Sequence, residues 1–352
     1  MADTMKCVVL NGPFQVSLEN RPIPQVQDEQ DIVVKVSATA LCGSDLHLYR
    51  GHMSGGAGFI MGHEFTGTVV SIGSGVKTVQ VGDRVVSAFT TSCGECFYCR
   101  SGCSARCVKS LLFGTKFLDG GQAEYVRVPS ADGTVIRAPD TISDQALILM
   151  ADIFPTGYFG VKAAVEMTTS IDIKDATVVV IGCGPVGLCA VIAAANVQPK
   201  HLFAIDSVPE RLKQAQSLGA TPLNFLQDKE GMHQQIKDVT EGRGADIVIE
   251  VVGQSPALRT AFDLLRPSGT LSSIGVHNGE IPWNGYEAFS KNIRLHFGRC
   301  PVRSVFPEAL ALLQEKEHLV GFMFENVMPL SEAVAGYDLF VQSKVQKVMF
   351  RP

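Results

Sequence analysis

The amino-acid sequence predicts an α/β protein that combines a β-rich domain with a doubly wound parallel-sheet domain. The length is the first indication, because 352 residues exceed a single core of ordinary size. Short valine-rich stretches separated by glycine turns fill the first part of the chain. Further along, strands and helices alternate, as is typical of βαβ units around a parallel sheet.

The β-rich part contains three clear candidate strands, which are Asp31–Ala40, Phe65–Ile72 and Arg84–Ala88. Glycine-containing turns at Gly73–Gly75 and Gly82–Asp83 separate them. Little of this region has a helical period. Short strands at such a spacing favour a barrel-like or sandwich domain.

The alternating part opens with Thr177–Ile181, a continuous apolar run typical of a strand buried on both faces. The predicted elements after it are helix Val186–Ala195, strand His201–Ile205, helix Pro209–Leu218, strand Ala245–Glu250, helix Ser255–Leu265 and strand Gly269–Ile274. The alternation ends near Phe297. Later segments predict a helix at Pro307–Gln314 and a last strand at Lys347–Phe350.

Composition and charge exclude several classes of protein. The net charge is −5 and there is no basic stripe, so nucleic acid is not an expected partner. No apolar stretch reaches about 18 residues, and the first residues, Met1–Asn11, do not resemble a signal peptide. We therefore expect a cytoplasmic protein without a membrane span, in a reducing compartment.

A glycine-rich turn directly follows the first apolar strand. Gly182, Gly184 and Gly187 permit a tight turn and a close approach of the backbone to a pyrophosphate, and Pro185 and Val186 begin the next helix. Asp206 ends the following strand, where a carboxylate accepts hydrogen bonds from ribose hydroxyls and repels a 2′-phosphate. These features predict NAD in preference to NADP. Arg211, one helical turn later, is expected to pair on the surface.

Five of the ten cysteines lie between residues 93 and 107. Cys93, Cys96, Cys99 and Cys107 offer four thiolates, which is the closed tetrahedral shell of a structural zinc ion. Cys103 is the fifth, and the spacing alone does not decide whether Cys103 or Cys107 is the fourth ligand. In a reducing compartment such a cluster favours a metal site over disulfide bridges.

Cys42, the adjacent pair His63-Glu64, and Asp152 stand far apart in sequence. Cys42, His63 and Asp152 each also have an ordinary structural interpretation, as a core cysteine, a buried histidine and a helix cap. Their context favours a second metal site. The segment Cys42-Gly-Ser-Asp-Leu-His47 follows a predicted strand, and Gly62-His63-Glu64 precedes another.

Over essentially its whole length the chain resembles the zinc-containing medium-chain alcohol dehydrogenases. The resemblance rests on Cys42–His47, Gly62–Glu64, the four-cysteine lobe, Gly182–Gly187 and Gly82-Asp-Arg-Val-Val86. It implies a GroES-like catalytic domain, residues 1–153 plus 297–352, and a Rossmann coenzyme domain, residues 154–296. It also implies a homodimer or homotetramer and an active site in the cleft between the two domains.

The resemblance implies a catalytic zinc ion held by Cys42, His63 and a third ligand. Many members have a cysteine at the third position, whereas this chain has Asp152, and other branches of the family also use aspartate. Glu64 is expected behind the metal, where it supports the ligands or serves as an alternate ligand. Ser44 is expected to take the proton of the alcohol, and His47 to relay it to solvent through the cofactor ribose.

The resemblance also implies contacts with the nicotinamide cofactor and the substrate. The expected cofactor-binding residues, beyond the glycine turn and Asp206, are Thr156, Val251, Val252, Ile274, Val276 and the pyrophosphate-binding Lys347. Phe89 is expected to line the substrate pocket, and Phe154 and Leu111 are further candidates. Arg299 and Arg303 fit either a phosphate, a polar substrate or a structural ion pair.

The implied function is NAD-dependent interconversion of a primary or secondary alcohol and its aldehyde or ketone. Two enzyme alternatives remain, a polyol dehydrogenase and a formaldehyde dehydrogenase or dismutase that retains its NAD. An alternative of another class is a non-catalytic NAD-binding scaffold. The open metal set argues against that scaffold, because a protein without catalysis has no need of it.

Overall fold

The computed structural model of the chain describes residues 3–51, 56–342 and 345–352. The chain divides into two compact units. The first comprises Met1–Pro155 and Pro301–Pro352, and the second comprises Thr156–Cys300. These boundaries lie within four residues of the predicted ones.

Within the described residues, the strands in chain order are β1 (Thr4–Gly12), β2 (Gln15–Pro22), β3 (Ile32–Ala40), β4 (Phe59–Ile60), β5 (Glu64–Ile72), β6 (Arg84–Ser87), β7 (Tyr125–Val128), β8 (Val135–Arg137), β9 (Thr177–Ile181), β10 (His201–Asp206), β11 (Thr221–Asn224), β12 (Ala245–Glu250), β13 (Leu265–Ser273), β14 (Arg294–Phe297), β15 (Val327–Pro329) and β16 (Met349–Arg351).

The α-helices of the same residues are α1 (Gly43–Tyr49), α2 (Phe97–Arg100), α3 (Ala131–Thr134), α4 (Asp144–Leu147), α5 (Ile153–Met167), α6 (Pro185–Asn196), α7 (Pro209–Ser217), α8 (Lys229–Val239), α9 (Ser255–Leu264), α10 (Gly285–Lys291), α11 (Val302–Lys316) and α12 (Ala333–Val341). Short 3₁₀ turns lie at Ser104–Arg106, Ile148–Ala151, Ile173–Asp175, Glu317–Leu319, Gly321–Phe324 and Leu330–Glu332.

The first unit is built on two mainly antiparallel sheets, with strand orders β2-β1-β4 and β15-β16-β3-β5-β6-β8, and β7 also pairs with β3. The register of the larger sheet positions the site. Ala40, the last residue of β3, pairs with Glu64 on one side and with Met349 on the other. The sheet therefore brings the segments around residues 42, 63 and 347 to one place.

The second unit is one parallel sheet of six strands in the order β11-β10-β9-β12-β13-β14. This is the doubly wound arrangement, in which the strand order reverses between the parallel neighbours β9 and β12. In such sheets ligands bind beyond the carboxyl ends of the strands at that point. Thr177–Ile181 is buried at every position, as its apolar run predicts. The α/β fold class predicted from the sequence is confirmed.

Several elements differ from the prediction. The helix expected to begin at Pro307 begins at Val302. Proline is favoured at the first position of a helix, but here Pro307 lies inside α11. Helix α5 was not predicted, since glycines, a proline and aromatic residues obscure its period. The strand expected from Gly269 begins at Leu265.

No single helix of the described residues is long and apolar enough to cross a membrane. One pair, Asp144–Ala151 with Ile153–Met167, meets the criterion of length and composition only when joined across a bend of 54°.

Candidate active site

Three segments bring a mixed set of metal-binding side chains together in the first unit. Cys42 precedes α1, His63 precedes β5, and Asp152 lies between a 3₁₀ turn and α5. One ligand atom from each of them and one from Glu64 all lie within 4.8 Å of one another, and all four residues are buried. The predicted set is therefore assembled in space.

The chemistry of these donors fits a zinc ion. Asp152 Oδ2 lies 3.3 Å from His63 Nε2 and 3.6 Å from Cys42 Sγ. Burial raises the pKa of the Cys42 thiol, and the Glu64 carboxylate raises it further. A divalent cation reverses both effects, because it stabilises the thiolate and the carboxylates in place of water. Sulfur, imidazole nitrogen and carboxylate oxygen are all established zinc ligands.

Asp45 orients two of the donors and was not assigned a role from the sequence. It is 1% exposed. Its Oδ1 lies 3.0 Å from His63 Nδ1, and its Oδ2 accepts a hydrogen bond of 3.0 Å from the backbone N–H of Cys42. A carboxylate at Nδ1 favours the tautomer that leaves Nε2 free for a metal. The available signal was an acidic residue in the first helical turn, three positions after Cys42.

Glu64 pairs with Lys347 beneath the cluster. Lys347 Nζ contacts Glu64 Oε2 and donates to the backbone oxygen of Leu41 at 3.1 Å. Burial alone would lower the pKa of Lys347, but the facing Glu64 carboxylate outweighs it and the net direction is upward. Glu64 Oε1 is buried without a hydrogen-bond partner among the described residues, so it is the oxygen available to the cluster.

This pairing gives Lys347 a protein partner in addition to its predicted role at a pyrophosphate. Its side chain is 1% exposed. A fully buried ammonium requires a counter-ion, and Glu64 provides it. The sequence did not indicate this pair, because no local pattern shows a partner 283 residues away.

The predicted proton-transfer residues lie on α1. Ser44 Oγ is 3.8 Å from Cys42 Sγ, so the hydroxyl borders the cluster. His47 lies three residues further on the same helix, and both side chains are half-buried. Residues with this spacing share one helix face.

Phe89 borders the cluster as well, with its ring edge-on to His63 at a centroid distance of 6.2 Å. The other two candidate pocket residues differ from it. Phe154 is fully buried, which is the environment of a core residue, and Leu111 is 37% exposed in the cysteine lobe.

The second metal set is the lobe at residues 93–107. Cys93, Cys96, Cys99 and Cys107 place their sulfur atoms within 4.8 Å of one another. Cys103 is exposed, and its Sγ faces the backbone oxygen of Ser101. The geometry thus places Cys107, rather than Cys103, in the cluster.

Backbone N–H groups point at the sulfur atoms of this lobe. Those of Cys93 and Lys109 lie 3.2 Å and 3.3 Å from Cys107 Sγ. Backbone hydrogen bonds at Cys99 and Val108 lower the pKa of the Cys96 thiol to about 6. Donors of this kind stabilise thiolates, which are the form that binds a metal. The four residues therefore fit a structural zinc ion.

The glycine-rich turn in the second unit has the conformation expected of a phosphate-binding turn. Gly182 has φ +95°, a value that side-chain-bearing residues rarely adopt. A Cβ at Gly187 would lie 1.8 Å from the Gly182 oxygen, so only glycine fits there. Gly184 caps α6, and Pro185 and Val186 open the helix, which leaves free N–H groups at its start.

Asp206 lies beside this turn at the end of β10 and is 7% exposed. Its Oδ2 accepts a hydrogen bond of 2.7 Å from the Cys183 N–H, and its Oδ1 accepts from Ser207 and Val208. Arg211 Nη1 is 3.9 Å from Asp206 Oδ2, so the predicted surface arginine pairs with this carboxylate. The three backbone hydrogen bonds thus use three of the about four acceptor positions of a carboxylate.

The remaining predicted cofactor residues lie at the carboxyl ends of the strands or on α5. Val251 and Val252 follow β12, and Ile274 and Val276 follow β13. Val252 is 45% exposed and Val276 is 54% exposed. Thr156 is the first residue of the second unit and is half-buried in α5.

The two arginines without a fixed prediction fall in different units, Arg299 in the second and Arg303 in the first. Burial lowers the pKa of Arg303, and its Nε has no hydrogen-bond partner among the described residues.

Together, a doubly wound parallel sheet, a β-rich unit with a mixed zinc donor set and a thiolate lobe define a zinc-binding dehydrogenase. Two family models agree. The model "Alcohol dehydrogenase GroES-like domain" matches residues 28–140, and the model "Zinc-binding dehydrogenase" matches residues 185–315.

Individual relatives support the same assignment. The chain is 62% identical to zinc-type alcohol dehydrogenase B of Aspergillus flavus, over 99% of this chain and 81% of that protein. Alcohol dehydrogenase TADH from Thermus sp. ATN1 is similar in structure, with a TM-score of 0.92, 33% identity and 99% coverage of both chains. Formaldehyde dismutase of Pseudomonas putida is 30% identical over 99% of this chain and 97% of that protein. The chain belongs to the zinc-type alcohol dehydrogenases of the medium-chain dehydrogenase family.

Proposed function

We propose that this protein is an NAD-dependent zinc alcohol dehydrogenase that interconverts a primary or secondary alcohol and its aldehyde or ketone. The observation that carries the proposal is the buried set of Cys42, His63 and Asp152 with the Ser44 hydroxyl beside it. The donor atoms of this set suit zinc, and Lys347 pairs with one carboxylate oxygen of Glu64, Oε2. Three protein ligands leave one coordination position for a substrate, which is typical of catalytic zinc sites.

The residues in and around the cluster have different proposed roles. Cys42, His63 and Asp152 would hold the metal, and Asp45 keeps the His63 ring in position. A zinc ion bound there supplies Lewis acidity, which lowers the pKa of an alcohol hydroxyl towards neutrality. Ser44 is placed to accept the proton of that hydroxyl, and His47 to pass it to solvent, since a histidine titrates near neutral pH. Phe89 gives the site an apolar wall against His63.

The cofactor assignment depends on the second unit. Its helix start and glycine turn suit a pyrophosphate, and the Asp206 carboxylate suits unmodified ribose hydroxyls. A 2′-phosphate at Asp206 would meet a negative charge, and Arg211 is already paired with that charge. We therefore propose NAD rather than NADP.

The test is a steady-state assay of NAD and NADP reduction with a panel of primary, secondary, aromatic and polyhydric alcohols. We expect turnover with NAD and weak or no turnover with NADP. Direct titration with NADH and NADPH, followed by cofactor fluorescence, checks the preference independently of any substrate. Tighter binding of NADPH would overturn the argument from Asp206.

A second candidate function is suggested by the 30% identity to the formaldehyde dismutase of Pseudomonas putida. An enzyme of that kind would retain its cofactor between turnovers. Denaturing the purified protein and measuring the released NAD distinguishes a dismutase from the alcohol dehydrogenase proposed above. Near-stoichiometric NAD, with disproportionation of an aldehyde and no net cofactor reduction, would favour the dismutase.

A further inference from the structure

Glu250 is a fully buried carboxylate in the second unit that the proposed mechanism does not use. It ends β12 and is 0% exposed. A buried charge is costly unless hydrogen bonds satisfy it. Glu250 Oε1 accepts from the N–H groups of Val252 and Gly253, both at 2.8 Å. Its Oε2 accepts from Ser273 Oγ at 2.7 Å and faces His277 Nε2 at 3.1 Å.

These donors belong to two separate segments. Val252 and Gly253 lie in the loop after β12, whereas Ser273 ends β13 and His277 lies in the loop beyond it. Glu250 therefore ties the two loops together, one through each carboxylate oxygen.

The two loops are packed against each other at the backbone. Gly253 has φ +78°, and a Cβ there would lie 2.6 Å from the oxygen of Val276. The first loop also reaches the phosphate-binding turn, because a Cβ at Gly182 would lie 2.7 Å from Val252 Cγ2. A shift of either loop thus changes the surface made by Val252 and Val276, the exposed valines predicted to contact the nicotinamide.

His277 holds the outer end of this arrangement. Its side chain is 13% exposed, and its ring packs edge-on against Phe297 at a centroid distance of 5.7 Å. Of the four donors to Glu250, His277 lies furthest along the second loop. Its hydrogen bond is therefore the one that draws that loop, with Val276 directly before it, onto the end of β12.

We propose that His277, acting through Glu250, is a positioning residue for the nicotinamide-binding loops and thereby sets the affinity for the cofactor. The inference rests on the proposed function only in taking these loops as the cofactor site. His277 needs no contact with the cofactor, because its effect passes through the carboxylate to the N–H groups of Val252 and Gly253.

The test measures NADH binding to the metal-loaded full-length protein, by the fluorescence of NADH, for three variants. His277→Leu removes the donor, His277→Gln retains an N–H near the position of Nε2, and His233→Leu removes a half-buried histidine on α8 as a control. We expect His277→Leu to raise the NADH dissociation constant about tenfold, in the range for a lost hydrogen bond to a charged group. We expect His277→Gln to stay within about threefold, and His233→Leu within about twofold, of the wild type.

Recovery of NADH binding in His277→Gln distinguishes a positioning role of the His277 hydrogen bond from a role of its ring in packing. If glutamine binds NADH as weakly as leucine, or leucine binds as tightly as histidine, the inference is wrong. If His277→Leu does not fold, His277→Asn takes its place, because its amide is too short to reach Glu250 and should weaken binding in the same way. Wild-type protein that binds neither NADH nor NADPH would instead overturn the cofactor assignment itself.

Discussion

The two metal sets of this chain differ in burial, in donor type and in what holds them. The lobe offers four identical thiols, three of them half-exposed, and backbone N–H groups point at its sulfur atoms. The mixed set of Cys42, His63, Glu64 and Asp152 is buried throughout and is held by charged side chains, Asp45 and Lys347.

Under the proposed function, this difference separates a structural site from a reactive one. Four thiolates complete a tetrahedral shell and leave no position for a substrate. The lobe contributes little apolar core, since Phe97 and Val108, the residue after Cys107, are each 71% exposed, so a bound metal would take over that role. The mixed set instead offers three proposed ligands, and its fourth donor, the Glu64 carboxylate, pairs with a buried lysine.

The strongest test of the contrast is Cys42→Ser in the mixed set. Loss of the catalytic metal removes its stabilisation of the transition state, so we expect alcohol oxidation to fall about a thousandfold. Kinetics at saturating NAD and metal analysis of the purified protein measure the effect. Metal content should fall from two ions per chain to one, since the described residues contain two such sets. Activity within tenfold of wild type would contradict the assignment.

The matched change in the lobe, Cys96→Ser, should act on stability instead. We expect the melting temperature to fall by about 10 °C, because the lobe folds around its metal. The protein that remains folded at 25 °C should turn over within about threefold of wild type. Calorimetry and kinetics on one preparation test both parts. A loss of activity as large as that of Cys42→Ser would remove the distinction between the two sets.

Asp45→Asn tests the role of charged supports in the mixed set. The amide fills the same volume but lacks the charge that favours the metal-binding tautomer of His63. We expect metal affinity at this set to fall about 10- to 100-fold, measured by competition with a chelator. Asp132→Asn is the matched control, because Asp132 also accepts backbone hydrogen bonds, from Lys77 and Thr78, but lies in α3 and has no part in the mixed set. An equal effect of both variants would indicate general destabilisation.

The smallest expected effect is that of His47→Gln. This variant tests proton transfer, which is proposed for the mixed set and not for the cysteine lobe. Neutral His47 accepts a proton, while at high pH solvent hydroxide can replace it. We therefore expect alcohol oxidation to slow about tenfold at pH 6 and only about twofold at pH 9. A pH–rate profile of both proteins decides the point, and an unchanged profile would remove His47 from the proposed relay.

Sequence patterns predicted the features that are local. The apolar run at Thr177–Ile181 and the glycine turn after it are each coded within a few neighbouring residues. The grouping of Cys93, Cys96 and Cys99 was predictable for the same reason. For the mixed set, local context favoured a metal site, but the ligand roles came from the resemblance, because the separation of Cys42 and Asp152 is 110 residues and no local period connects them.

The residues that sequence patterns missed are buried charges with distant partners. Lys347 was expected only at a pyrophosphate, and Glu250 was interpreted only as the end of a strand. Glu250 meets His277 at a separation of 27 residues and Lys347 meets Glu64 at 283. Such pairs depend on strand register, which short-range patterns do not encode.

The pairing of Lys347 with Glu64 also orders events during biosynthesis. A ribosome that has just added Glu64 must add 283 further residues before its counter-ion exists. At about 5–20 residues per second this takes roughly 15–60 s. Throughout that interval Glu64 in β5 has no lysine counter-ion, and β3 has not yet paired with β16. The four cysteines of the lobe are all present once Cys107 has been added, so the growing chain could already bind an ion there, whereas the mixed set reaches its final state only after Lys347 has been added.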